Sequence, residues 1–160
     1  MTHPSVNISV RVALGFMALR LVLFFVNADF PYQEEVFLFL LLASFPGLSL
    51  YAIWPREEKT SFKEDALNSL RLNVIFAIAM AIFIYAFYAF ADTNYFPNMR
   101  DMIAARELAA NPDLDEADLR RGIQQFFSLR NFSILAILFF MVMGIFYSVL
   151  FSAIKRVVLK

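Results

Sequence analysis

The sequence has 160 residues, no net charge at pH 7 and 61% hydrophobic residues, which is more apolar area than a soluble domain of this length can bury. Because it has no cysteine and its only histidine is His3, it lacks the residues for disulfides, the usual zinc sites, a cysteine nucleophile and Ser-His-Asp catalysis. The balanced charge gives no basic surface for nucleic acid, so the composition predicts an integral membrane protein without a metal or other cofactor.

The first predicted span covers residues 8–28 and contains two charges, Arg11 and Arg20. A spanning helix needs about 20 mostly apolar residues, since each residue adds 1.5 Å against roughly 30 Å of hydrocarbon. The same segment could instead be a secretory signal, because residues 26–28 resemble a small-residue cleavage site. Arg20 interrupts the apolar region that such a signal requires, so we expect a retained helix.

Arg20 is the most informative residue of this span, because a charge near the middle of a membrane helix costs about 2.5–3.5 kcal/mol. The second to fourth spans contain no acidic residue that could pair with it. A candidate partner is the carbonyl of Leu42, since Pro46 removes the hydrogen bond that this carbonyl would accept in a regular helix. Arg20 is therefore a candidate site for an anionic group such as a lipid phosphate. The alternative is an arginine that extends to the headgroups without a specific role.

Three further uncharged runs have the length of a span: 36–54, 72–91 and 131–154. The third helix is expected to begin well before its uncharged run, because Ser61 and Glu64 have the spacing of a capping box. We predict a helix over 62–91 whose first turns project from the membrane. These turns are either a solvated extension or a surface for a partner.

The polar segment between the third and fourth spans predicts a short helical hairpin. Residues 99–110 lack glycine and proline, and Asn111-Pro112 ends this helix. Asp113 is expected to cap a second helix over 114–128. Apolar residues recur in that helix at spacings of three and four, at Leu119, Ile123, Phe126 and Phe127. This pattern predicts an amphipathic helix that lies on the membrane or packs on the helix ends, with a binding lid as the alternative.

The orientation follows from the lysines and arginines of the loops. The first short loop, 27–35, has none, whereas the second short loop, 55–71, has four. Positive loops remain in the cytoplasm, so both termini are predicted to be cytoplasmic and the hairpin external. The longer segment 92–130 has five such residues, which opposes this orientation, but the two short loops decide most clearly.

Small residues recur at a spacing of four, which allows helices in a membrane to approach closely. They are Gly144, Ser148 and Ser152 in the fourth span and Ala43 and Gly47 in the second. We expect these residues to form helix contacts inside one bundle. Contacts between two copies of the chain are the alternative.

The stretch from Thr60 to Lys160 resembles an uncharacterised family of small four-helix bacterial membrane proteins. The resemblance rests on Ser61-Phe62-Lys63-Glu64-Asp65-Ala66, on Ile84-Tyr85-Ala86-Phe87-Tyr88, on Tyr95-Phe96-Pro97-Asn98, and on an acidic outer helix before a final span that ends in lysine. It implies a bacterial inner membrane and partners that act in lipid-linked sugar transfer. It transfers no activity and assigns no role to Arg20.

These features predict a single all-α domain over 1–160, a four-helix transmembrane bundle with the hairpin in its outer loop. The acidic residues all lie in polar segments, and no catalytic constellation is found, so the leading hypothesis is a non-enzymatic accessory or scaffold subunit of a cell-envelope or lipid-linked-sugar membrane complex. Its expected contacts are membrane lipids and a protein partner or a second copy. The alternative is a lipid or small-molecule binding or transport protein with an intramembrane site around Arg20 and the Pro46 kink.

Overall fold

The computed structural model describes residues 6–26, 33–54 and 60–158. It contains six α-helices: α1 (Val6–Phe25), α2 (Gln33–Ile53), α3 (Phe62–Ala86), α4 (Tyr95–Ala110), α5 (Glu116–Phe126) and α6 (Leu129–Val158). One π-helical turn, Phe87–Ala91, continues α3. No strand occurs in the described ranges, so the predicted all-α class is confirmed. His3, most of the first short loop with the cleavage-like segment, and residues 55–59 lie outside the described residues.

Four helices are long and apolar enough to cross a membrane, which confirms the number of candidate spans. They are Asn7–Phe25, Val36–Ile53, Phe62–Ala91 and Leu129–Val158, with a mean hydropathy between 2.0 and 2.6. The last one extends beyond the predicted 131–154 at both ends, because helical hydrogen bonding continues into the flanking polar residues. The two remaining helices, α4 and α5, belong to the polar segment between the third and fourth candidate spans.

The chain divides into two compact units. The first unit contains α1, α2, α3 up to Met80 and α6 from Leu138, and the second unit contains Ala81–Ile137. The prediction of a single domain over 1–160 stays a prediction.

The first unit buries polar side chains and exposes apolar ones, which is the reverse of a soluble domain. Its buried residues include large apolar side chains, among them Phe45, Leu72, Phe76 and Met80. They also include Ser9, Ser49, Asp65, Ser69, Asn73, Ser148, Ser152 and Lys155. Its outer surface carries leucine, valine, isoleucine and phenylalanine from all four helices. Hydrocarbon stabilises such a surface, and polar groups then collect inside, where they can hydrogen-bond to one another.

The start of α3 has the predicted capping box. The Ser61 hydroxyl accepts a hydrogen bond from the Glu64 backbone N–H at 3.2 Å, and the Ser61 backbone N–H donates to Glu64 Oε2 at 2.8 Å. Each side chain thus satisfies a backbone donor of the other residue at a helix end that has no earlier turn. The box sets the position of Asp65, which follows in the same turn.

The second unit contains the predicted hairpin, formed by α4 and α5, but α4 begins at Tyr95 rather than at residue 99, and the cap of α5 differs from the prediction. Asp115, not Asp113, accepts from the backbone N–H groups of Ala117 and Asp118, at 2.8 and 3.1 Å. A turn closed by the hydrogen bond from the Leu114 N–H to the Asn111 carbonyl, at 3.2 Å, delays the start of the helix. Helix α5 therefore covers Glu116–Phe126 rather than 114–128.

Arg120 forms two exposed ion contacts, one within α5 and one that joins α5 to α4. Arg120 donates to Glu116 at 2.8 Å within α5 and to Asp101 of α4 at 3.0 Å. The hydrogen bond with Glu116, followed by the one with Asp101, raises the pKa of Arg120. Because these side chains are at least half exposed, the contacts fix the register of the hairpin more than they stabilise it.

Candidate functional site

Arg20 is buried in the first unit, with 5% of its surface exposed. Its guanidinium carbon lies 5.6 Å from the centre of the Phe37 ring of α2, within the range of a cation–π contact. Pro46 lies inside α2 as expected. Phe37 precedes Leu42 by more than one turn, so this contact lies nearer the start of α2. The predicted contact of Arg20 with the Leu42 carbonyl stays a prediction.

The small residues of α6 and α2 lie in different surroundings. Gly144, Ser148 and Ser152 are buried in the first unit. A Cβ atom on Gly144 would lie 3.1 Å from the Asn73 Cβ, so α3 and α6 approach closely at this position. Ala43 and Gly47 of α2 are exposed, and a Cβ atom on Gly47 would meet nothing within 4 Å. Equal spacing in sequence thus places one set inside the unit and the other on its surface.

A column of polar side chains, which sequence reasoning missed, runs along the inner face of α3. Asp65, Ser69 and Asn73 are spaced by four residues and are each 0% exposed. Helix α6 lies antiparallel to α3 at this column, since its partners decrease in number as those of α3 increase. We call these three residues and their hydrogen-bond partners the polar column.

The polar column begins at an ion cluster formed by Thr60, Asp65, Lys155 and Arg156. Lys155 Nζ donates to Asp65 Oδ1 at 3.2 Å and to the Thr60 hydroxyl at 3.0 Å. The Thr60 hydroxyl donates to Asp65 Oδ1 at 2.6 Å. Arg156 donates to the Thr60 carbonyl, and its Nη2 lies 3.4 Å from Asp65 Oδ2. Two cations thus share one fully buried carboxylate, which ties the end of α6 to the start of α3.

Asn73 forms the other end of the polar column and connects three helices. Its Nδ2 donates to Ser49 Oγ at 2.8 Å, to Ser148 Oγ at 3.1 Å and to the Gly144 carbonyl at 3.3 Å. Ser148 accepts from the Ser69 hydroxyl at 3.0 Å and donates to the Gly144 carbonyl at 2.6 Å. Because a carbonyl can only accept, the amide nitrogen and not the amide oxygen of Asn73 must face Gly144.

A layer of phenylalanine rings lies directly beyond Asn73 along α3. Phe76 packs edge-on against Phe16 of α1, with 6.1 Å between ring centres, and against Phe45 of α2, with 5.3 Å. Phe45 also lies 5.9 Å from Phe140 of α6. These four rings, here called the phenylalanine layer, connect all four helices of the first unit. Along α3, the polar column therefore ends at Asn73, and aromatic packing begins at Phe76.

The second unit has a separate aromatic cluster at the base of the hairpin. Tyr88, in the π-helical turn, has ring contacts with Phe87, Tyr95, Phe96 and Phe132 at centre distances of 4.6 to 5.8 Å. Phe83 extends the group through Phe87. We call these six residues the ring cluster. It joins the end of α3, the start of α4 and the start of α6, so the hairpin is held to both helices that lead into it.

One sequence signal could have revealed the polar column. Residues 65, 69 and 73 carry an acid, a hydroxyl and an amide at every fourth position, and residues 148, 152 and 156 carry two hydroxyls and a cation at the same spacing. Two such stripes in otherwise apolar helices favour an antiparallel pair. Known proteins give no further guide, since no family model, no curated protein and no solved structure matches this chain.

Proposed function

We propose that the chain is a four-span bundle in the cytoplasmic membrane of a bacterium, where it acts as a non-enzymatic accessory subunit of a cell-envelope membrane complex. In this proposal it belongs to the uncharacterised family that residues 60–160 resemble, and the complex handles lipid-linked sugars. The loops support termini in the cytoplasm, because 55–71 carries four lysines and arginines and 27–35 carries none. The hairpin then faces the outside of the cell.

The single observation that carries this proposal is the ordered, polar hairpin. Helix-to-helix connections in bundles usually need only 2–8 residues, whereas this one includes two helices, Tyr95–Ala110 and Glu116–Phe126. These two helices bury only Phe96, Ala104 and Ile123. The six aromatic rings of the ring cluster hold the base of the hairpin in place. The hairpin itself is not needed to connect the spans, and it does not form a core. Such a braced polar surface has the properties of a docking site for another protein.

The chemistry of the hairpin defines the partner surface that it fits. Arg121 and Asp118 form an exposed pair with 74% of each side chain accessible, and Met102 is 65% exposed on α4. The hairpin thus exposes charges of both signs and a flexible apolar side chain. We therefore propose a partner with a mixed polar surface outside the membrane, rather than a strongly charged ligand.

Photocrosslinking in living cells tests this proposal. A photoreactive phenylalanine analogue is placed at Met102 or at Arg121 in the hairpin, with Phe90, 83% exposed in the last turn before α4, as the matched control position. The expected result is one discrete adduct with another protein from the hairpin positions and none from Phe90. Adducts with lipid alone, or only with a second copy of this chain, would contradict the accessory role.

A charge-reversal pair makes the same test sharper. Arg121→Glu is expected to reduce the adduct at Met102 without lowering the amount of protein in the membrane. Lys63→Glu, an exposed residue in the first turn of α3, is the control, because it lies on the opposite side of the proposed membrane. Equal adduct yields from both variants would show that the hairpin does not recognise the partner.

A second candidate function is lipid or small-molecule binding at a site around Arg20 and Pro46. The burial of Arg20 supports it, because an arginine that only extends to the headgroups would lie on the outer surface of the bundle. The test compares the lipids that co-purify with wild type, Arg20→Leu and Arg11→Leu, since Arg11 is exposed on the same helix. Loss of an anionic lipid only in Arg20→Leu supports this function, and identical lipid contents contradict it.

A further inference from the structure

We infer that the first unit holds ordered water at a buried site between Asn73 of α3 and Ser9 of α1. The starting observation is that three buried side-chain atoms lack a hydrogen-bond partner among the described residues: Arg156 Nε, Asn73 Oδ1 and Ser9 Oγ. Asn73 and Ser9 are the two whose whole residues are 0% exposed. Leaving such an atom without a partner costs about 1–3 kcal/mol, so buried groups of this kind are normally satisfied by protein or by water.

The contacts of Asn73 limit how its oxygen can be satisfied. All its observed hydrogen bonds come from Nδ2, which donates to groups on α2 and α6. Reversing the amide would set its oxygen against the Gly144 carbonyl, so the oxygen must accept from a donor elsewhere. Ser148 cannot supply that donor, because its hydroxyl hydrogen already goes to the Gly144 carbonyl at 2.6 Å. No described residue donates to this oxygen, and a water molecule can supply the missing donor.

Helix α1 supplies the second wall of the site. Ser9 and Ala13 are buried on α1, and Phe16, half-buried on the same helix face, contacts Phe76 of α3. Ser9 lies two turns before Phe16 in α1, and Asn73 lies one turn before Phe76 in α3. Helix α2 is antiparallel to α3, and few residues separate α1 from α2, so α1 and α3 run in the same direction. With the contacting rings taken as one level, the axial offset between Ser9 and Asn73 is on the order of 6 Å. Polar atoms that lie too far apart for a direct hydrogen bond are commonly bridged by water.

Water fits this site better than a cation or a larger ligand. The groups at this level are neutral: an amide oxygen and hydroxyls from Ser9, Ser49 and Ser69. A hard cation requires six or more oxygen ligands with carboxylates among them, and Asp65, two turns away, is occupied by the ion cluster. One or two waters can donate to Asn73 Oδ1 and both donate to and accept from Ser9, which matches the unused capacity of both groups.

The neighbouring side chains also limit how far the hydrated region extends along α3. The polar column continues from Asn73 to the ion cluster, whereas the phenylalanine layer begins at Phe76, one turn further along α3. The hydrated region therefore lies on the Asp65 side of Phe76. An apolar layer without polar partners stays dry, so the inference places water on one side of this layer only.

Water-selective NMR on the full chain in detergent micelles tests the inference. The wild-type protein is expected to show a cross peak between water and the side-chain amide protons of Asn73, and none between water and the ring protons of Phe76. The amide of Asn111, exposed in the hairpin, is the positive control. Absence of the Asn73 cross peak while that of Asn111 is present would overturn the inference, without any variant having to fold.

A variant pair then assigns the site to Ser9. Ser9→Ala removes one of the two protein partners of the water, so the Asn73 cross peak is expected to lose at least half of its intensity. Ser152→Ala is the matched control, because the Ser152 hydroxyl donates to the Ser148 carbonyl of its own helix at 2.7 Å; it should leave the cross peak unchanged. Equal intensities in wild type and Ser9→Ala would show that Ser9 does not share the water.

Discussion

Neutralising Asp65 tests whether the ion cluster stabilises the fold. Asp65→Asn keeps the size of the side chain but removes its charge, and leaves Lys155 buried without a counter-charge. Removing one partner of a buried ion pair costs about 3–5 kcal/mol. We expect about 3 kcal/mol, the lower end of that range, because the amide oxygen still accepts from Lys155 and Thr60. This value lowers the ratio of folded to unfolded protein roughly a hundredfold.

Lys155 and Arg156 differ in solvent exposure, and this difference decides which of them determines the free-energy cost of Asp65→Asn. The Lys155 side chain is 7% exposed and that of Arg156 is 41% exposed. Water solvates Arg156 when the carboxylate is lost, so its pair with Asp65 contributes at most about 1 kcal/mol. Lys155→Met is expected to cost about 2 kcal/mol, because Arg156 then still faces Asp65. The double variant should cost no more than Lys155→Met alone, which gives a coupling of about 3 kcal/mol.

The assay is equilibrium unfolding in mixed micelles of dodecyl maltoside with increasing dodecyl sulfate, followed by circular dichroism. Asp101→Asn is the matched control, because Asp101 pairs with Arg120 at 3.0 Å while both side chains remain at least half exposed. This control is expected to unfold like wild type. A cost below about 1 kcal/mol for Asp65→Asn, or costs that simply add in the double variant, would refute the assigned role of the buried pair.

Three further outcomes are expected. Gly144→Ala should lower stability by about 1–3 kcal/mol, because its Cβ would lie 3.1 Å from a side chain of α3, whereas Gly47→Ala, with nothing within 4 Å, should unfold at the same or a higher denaturant level. Ser61→Ala should cost about 1 kcal/mol and speed amide exchange in the first turn of α3, since it removes the capping box; unchanged exchange would contradict this. Tyr88→Leu should make trypsin cleave the hairpin about tenfold faster, because ring contacts worth about 0.5–1.5 kcal/mol each are lost, whereas Phe90→Leu should be cut like wild type.

The helices could be predicted from sequence because their signals are local. An uncharged run of about 20 residues must satisfy its backbone hydrogen bonds internally once it lies in lipid, and a helix is the simple way to do so. The box at Ser61 and Glu64 involves two residues of one turn, and it was found. The start of α5 was misplaced because Asp113 and Asp115 are both good caps, and only the turn from Asn111 to Leu114 decides between them.

The candidate site residues were harder to predict, because their roles depend on contacts between helices that the spacing of residues in the sequence does not reveal. Gly47 and Gly144 both lie in four-residue patterns of small residues, yet only Gly144 faces another helix closely. The role of Asn73 requires Ser148, which follows 75 residues later in the chain. Arg20 was identified from its charge alone, but its contact with the Phe37 ring depends on how α1 packs on α2. Pairings between distant segments therefore remained beyond the sequence argument.

The pairing of Asp65 with Lys155 has a consequence for how the chain is made. The two residues are 90 positions apart, and ribosomes add about 5–20 residues per second. For roughly 5 to 20 s the carboxylate exists without its lysine, and α1 to α3 leave the ribosome before Lys155 does. During that interval α3 must keep its first turns outside the hydrocarbon or be shielded by the insertion machinery. Nascent chains stalled before Lys155 should thus be far more sensitive to membrane proteases than the finished protein.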